Sequence, residues 1–109
     1  MPPQLIEASY DEEKILECID AGIDVFGSTV KQVIYFRLKT LNSQDRKDII
    51  KKPEIFSECL RGFFGERAFL VEHAIVASIL GTFHLSGVNL SDSSTRAIIE
   101  ARKLVQSFR

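Results

Sequence analysis

Two phenylalanine–glycine corners constrain this chain more than any other feature. Phe26-Gly27 and Phe64-Gly65 each close a short amphipathic run, and a longer apolar run at helical spacing follows each at once. Glycine reaches the positive-φ backbone that ends or redirects a helix at little steric cost. The corner recurs at an offset of 38 residues, which predicts two helix–glycine–helix hairpins. With that offset Cys18 falls on Phe56, Val25 on Phe63 and Val33 on Val71, a match of character and not of identity. Two such hairpins look alike by necessity, and two copies are too few for a solenoid.

The expected fold is all-α: a compact bundle of about five helices, made of the two hairpins and a C-terminal amphipathic helix. A flexible lead over residues 1–9 precedes a single helical domain over 10–109, a size that buries a modest core. The first helix starts near Tyr10 or Asp11, where acids suit the positive end of the helix dipole. Ile15, Ile19, Ile23 and Phe26 form its apolar stripe; Glu13, Glu17, Asp20 and Asp24 form an opposed acidic face. Gly22 is expected to weaken its last turn, and Gly27 to stop it. Gly27 or Ser28 caps the second helix, whose stripe is Val30, Val33, Ile34, Leu38 and Leu41, widened by Tyr35 and Phe36. Its apolar positions fit a 3.6 period better than the alternation of a strand.

Residues 42–52 read as a polar connector anchored by Ile49 and Ile50. Pro53 suits the first position of a third helix, with Ile55, Phe56, Cys59, Leu60 and Phe63 facing inward. Glu66 opens a fourth. Phe69, Leu70, His73, Ala74, Ala77 and Leu80 line one side of it, and Val71, Ile75, Val76 and Ile79 the other. A helix apolar nearly all round belongs at the centre of a bundle; Gly81 is its expected end, with a further turn over Thr82-Phe83-His84-Leu85 as the alternative. Ser91 or Asp92 caps the last helix, which buries Ala97, Ile98, Ala101, Leu104, Val105 and Phe108.

Charge is unevenly spread. Net charge is −1, so the whole molecule has no general attraction to nucleic acid or anionic membrane. Yet residues 1–27 hold seven acids and one base, and residues 28–52 hold seven bases and two acids. The basic segment includes Arg37, Arg46, Lys47, Lys51 and Lys52, the candidate contacts to a partner or to nucleic-acid phosphates. The competing reading turns these cations toward the acidic first helix, within one chain or across a dimer, and the near-cancelling charges favour it.

No motif carries chemistry. Cys18, Cys59, His73 and His84 form no CxxC, HxxxH or HExxH pair, so no metal is expected. His73 reads as a core or subunit-contact histidine held by a hydrogen bond. No GxSxG and no orienting carboxylate is visible, and the segment 62–67 has bulky aromatics where a phosphate would have to approach. The chain is therefore expected to be no enzyme and to need no cofactor. The apolar stretch 68–88 is broken by Glu72, His73, Gly81 and His84, which argues against a membrane span. No signal peptide is evident, and both cysteines sit on apolar stripes, so a cytoplasmic protein with reduced thiols is expected. Eight phenylalanines and no tryptophan, with two helices apolar on two faces, exceed what five short helices hide, which points to a homodimer or a protein partner.

The segments Val30-Lys31-Gln32-Val33-Ile34-Tyr35-Phe36 and Phe63-Phe64-Gly65-Glu66-Arg67-Ala68, with the connector Lys51-Lys52-Pro53-Glu54, resemble a small archaeal helical domain family. That family is an output domain of ammonia-oxidising archaea and also ends longer regulatory chains. Its pattern is an acidic first helix, a glycine, a "VKQ-I-Y" helix, a Lys-Pro connector, a phenylalanine–glycine corner and an apolar helix. The likeness covers residues 10–85 and departs at Gly81-Thr82-Phe83, where the family has a more charged ending. It implies a non-enzymatic signalling or regulatory module and supplies no catalytic residues.

Overall fold

The computed structural model describes residues 11–107 and is all-helical over them. The helices are α1 (Glu12–Asp24), α2 (Ser28–Asn42), the single turn α3 (Asp48–Lys51), α4 (Pro53–Phe64), α5 (Ala68–Thr82) and α6 (Ser94–Gln106). The five longer ones make the small bundle that the two corners and the final amphipathic pattern predict. The expected N-terminal lead, and Phe108 at the end of the last stripe, lie outside the described residues.

Local chemistry sets the helix ends. The Asp11 carboxylate accepts the Lys14 N–H at 2.9 Å and starts α1, with Glu12 and Glu13 in its first turn. Pro53 opens α4, where its missing N–H costs nothing. Ser93, and neither Ser91 nor Asp92, caps α6: its hydroxyl accepts the Arg96 N–H at 3.1 Å. Asp92 is engaged one turn earlier, accepting the Asn89 N–H at 2.9 Å. The helix after the second corner opens as a 3₁₀ turn, Gly65–Arg67, and becomes α-helical only at Ala68. Gly81 does not end α5. The helix runs on to Thr82, and Phe83 leaves it extended, with its ring buried in the core. Burial of that large ring decides where the helix stops.

The hairpins α1–α2 and α4–α5 pack crosswise, α1 on α5 and α2 on α4, and α6 lies against α4 and α5. Ile19, Ile23, Ile34, Phe56, Leu60, Ile75, Ile79, Phe83 and Ile98 form the centre. The α1–α5 crossing depends on Gly22, the glycine that the sequence marks only as a weak point. A Cβ built there would sit 2.7 Å from the Ile75 Cα and 3.0 Å from the Ala74 carbonyl oxygen. The two backbones approach as closely as they do because position 22 has no side chain.

Two expected stripes are only partly buried. On α2, Ile34 and Leu38 are buried and Val30 and Val33 are half-covered. Leu41, one turn beyond the last core contact, is 66% exposed. On α5 the inner side, Ala68, Val71, Ile75, Val76 and Ile79, is buried. Phe69, Leu70, His73 and Ala77 on the other side are exposed, because α1, α4 and α6 cover the helix from one direction only. The helix expected at the centre of the bundle is thus one wall of it. Phe26 and Phe63, also expected to face inward, are 36% and 37% exposed at the hairpin ends.

Candidate interaction surfaces

The acidic helix and the basic segment meet within the chain. The Arg46 guanidinium donates to Asp20 Oδ2 through Nε at 3.0 Å and Nη2 at 2.8 Å. Its Nη1 and Nη2 reach the two oxygens of Glu13 at 3.3 and 3.1 Å. The Tyr35 hydroxyl donates to the other oxygen of Asp20. Lys31 bonds Asp24 at 3.1 Å, and Glu17 pairs with Lys14 at 3.3 Å along α1. Burial works against the charge on Arg46, but the Glu13 and Asp20 carboxylates outweigh it and raise its pKa. Burial, reinforced by the bond to Asp20, raises the pKa of the Tyr35 phenol well above its ordinary range.

This latch consumes much of the basic segment. Arg37 lies 5.3 Å above the Phe63 ring, with its Nε buried and unbonded. Lys39 pairs with Asp45 at 3.2 Å. Lys47, Lys51 and Lys52 remain, exposed and with no ion pair among the described residues. Lys51 lies between two clefts of about 310 Å³ each. Glu12, Glu13, Leu16, Lys47 and Ile50 line the first, and Glu54, Ile99, Arg102 and Lys103 help line the second. Acids alternate with bases along both, and Arg102 itself sits 3.6 Å from Glu12, so neither cleft presents a single sign of charge.

The glycine corners are structural. Gly27 (φ 108°, ψ 149°) and Gly65 (φ 61°, ψ −131°) adopt backbone that side-chain-bearing residues rarely tolerate. Gly27 departs from the left-handed helical stop expected of it, because its ψ is extended. The corner rings differ as well. Phe26 is partly in solvent, whereas Phe64 packs on the core and meets Phe63 edge to face at 4.7 Å.

Sequence reasoning missed a polar knot around Glu72. Its side chain is 13% exposed. Oε1 accepts the backbone N–H and the hydroxyl of Ser94 at 3.0 and 2.8 Å, with the Ser57 hydroxyl at 3.4 Å. Ser57 also bonds the hydroxyls of Ser94 and Thr95, at 3.1 and 2.7 Å. One carboxylate on α5 thereby ties α4 to the N-terminus of α6, where the helix dipole favours an anion. The available signal was a lone acidic residue in an apolar helix, read above as an interruption. His73 is not a core residue: it is exposed, with Nδ1 3.1 Å from the Leu90 carbonyl oxygen. With Phe69, Leu90 and Asp92 it borders a cleft of about 400 Å³.

Cys18 and Cys59 are buried free thiols, and burial raises the pKa of Cys59, with Arg37 partly offsetting it. No cluster able to hold a metal ion occurs among the described residues. Among them, too, no helix is long and apolar enough to cross a membrane.

What the surface shows most plainly is uncovered apolar area. Phe36 is 68% exposed and Leu41 66% on α2; Phe69 is 66% and Leu70 47% exposed on α5; Leu90 beside α5 is 48% exposed. Single exposed apolar residues are ordinary; several large ones on two helices are not. These elements define the chain as a small all-α bundle. Comparison with protein-family models, with curated proteins and with solved structures finds no match.

Proposed function

We propose that this chain is a non-enzymatic signalling or regulatory module that works through protein–protein contact, in the cytoplasm, as a homo-oligomer. The observation that carries this reading is the uncovered apolar side of α2 and of α5, headed by Phe36 and Phe69. The likeness of the "VKQ-I-Y" helix and the phenylalanine–glycine corner to the archaeal output-domain family supports it. So does the absence from the sequence of any motif that carries chemistry. Light scattering at micromolar concentration tests it: a species heavier than one chain is expected, and a strict monomer overturns the oligomeric part.

A second reading, a DNA- or RNA-binding regulator, is favoured by one observation: Lys51, exposed and without an ion pair among the described residues, lines one cleft with Arg102 and Lys103 and another with Lys47. Each phosphate neutralised on duplex DNA contributes a log–log salt slope of about −0.9. Absence of salt-dependent binding at low ionic strength removes this reading. The latch on Arg46 weighs against it, since that arginine is already committed to two carboxylates.

A further inference from the structure

We infer that the outer side of α5 is the seam at which two copies of this chain pair about a two-fold axis; this rests on the homo-oligomer reading above and names its surface. Phe69, Leu70, His73, Ala77 and Gly81 recur along α5 at helical spacing, and all are exposed. Leu80 borders them half-buried, and Leu90 extends the surface across the cleft it shares with Phe69 and His73.

Charge selects the occupant. Between Phe69 and Phe83 the only Asp, Glu, Lys or Arg is Glu72, and its carboxylate is turned to Ser94 and Ser57. The outer side of the helix therefore carries no formal charge. Such a face is complementary to itself: a two-fold operation lays it on its own copy with no like charges opposed. The other apolar face fails that criterion. On α2 the exposed Lys39 stands one turn from Phe36 and carries an ion pair to Asp45, so self-pairing there buries charge. Molecular charge does not oppose pairing either, since the chain carries only −1.

Size and shape agree. A helix of 15 residues is about 22 Å long, enough for two or three turns of side-chain interdigitation with a second helix. From the exposures of Phe69, Leu70 and Leu90, the apolar centre amounts to roughly 300 Å² per copy. A stable dimer buries about 800 Å² per partner, with a polar rim making up the difference. Ala77 and Gly81 lack bulk at the middle and end of the row, which permits close approach of the two helices.

Sedimentation equilibrium on the full chain decides the matter, using wild type and the variants Ala77→Glu, Phe69→Glu and Phe36→Glu, each shown to be folded by circular dichroism. Positions 77, 69 and 36 are all exposed, so the variants leave the core intact. Wild type is expected to dimerise, Ala77→Glu and Phe69→Glu to weaken the dimer by roughly tenfold or more, and Phe36→Glu to leave it unchanged. A wild-type dimer indifferent to both α5 variants overturns the seam and leaves the homo-oligomer reading standing. A wild type that stays monomeric overturns both. If one α5 variant fails to fold, the other decides alone.

Discussion

At the scale of single residues, the glycines separate into kinds that sequence does not distinguish. Gly22 faces the Ile75 backbone, and a methyl group there has nowhere to go. Gly22→Ala is expected to destabilise by about 1–3 kcal/mol, as overpacking does. Gly62 lies in α4 with no atom within 4 Å of a built Cβ, so Gly62→Ala should stabilise by about 0.5–1 kcal/mol. Urea unfolding of the two variants reads both signs at once; two changes of like sign contradict the crossing described. Tyr35 and Cys59 yield a pH prediction. Both groups have pKa values raised by the fold, so the unfolded chain loses their protons first as pH rises. Their contribution is complete below about pH 8.5 for the thiol and about pH 10 for the phenol, and declines above those values. Tyr35→Phe should remove the phenol component, leaving a flatter loss of urea stability between about pH 10 and 11. A variant as steep as wild type would place the alkaline sensitivity elsewhere.

At the scale of elements, the helices were legible and several of their boundaries were not. Periodicity located α1, α2, α4 and α6, because one face of each alternates with polar residues at the right spacing, and α5 was located as an apolar run of helical length. It could not tell which of α5's two apolar sides is buried, since both read alike and only the position of the neighbouring helices decides. The ends of α5 and α6 were missed for a related reason: Phe83 and Ser93 act through tertiary burial and a local cap that Gly81 and Asp92 appeared to pre-empt. Glu72 was legible only as an interruption. Its bonds reach Ser57 and Ser94, 15 and 22 residues away, and no local pattern encodes that meeting. Removing the carboxylate leaves the Ser94 N–H without its acceptor in a poorly hydrated place, while the serine hydroxyls keep only each other and Thr95. Glu72→Ala should therefore cost about 2–3 kcal/mol and speed hydrogen exchange at the start of α6. A loss below about 0.5 kcal/mol would mean that water replaces the carboxylate without penalty.

At the scale of the whole molecule, the opposed charges anticipated the latch: the acidic face and the basic segment meet through Arg46, Asp20, Glu13 and Lys31. Which cations stay free was not legible, because it depends on where the short turn α3 directs Lys47 and Lys51. If the chain pairs as proposed, its melting temperature must rise with protein concentration, since association stabilises only the folded form. Differential scanning calorimetry over a hundredfold concentration range checks this, and a constant value denies coupled dimerisation. The two hairpins, similar in pattern, are not equivalent in contact. The residue that the 38-residue offset sets opposite Gly22 is Leu60, so the second crossing has no matching gap. That asymmetry bears on motion. Were α1 to slip along α5 by one turn, about 5.4 Å, the place of Gly22 would be taken by Cys18, Ile19, Val25 or Phe26, each with a side chain the Ile75 backbone cannot accept. The pair is a ratchet with a single tooth, locked in one register by the one residue of α1 that has no side chain.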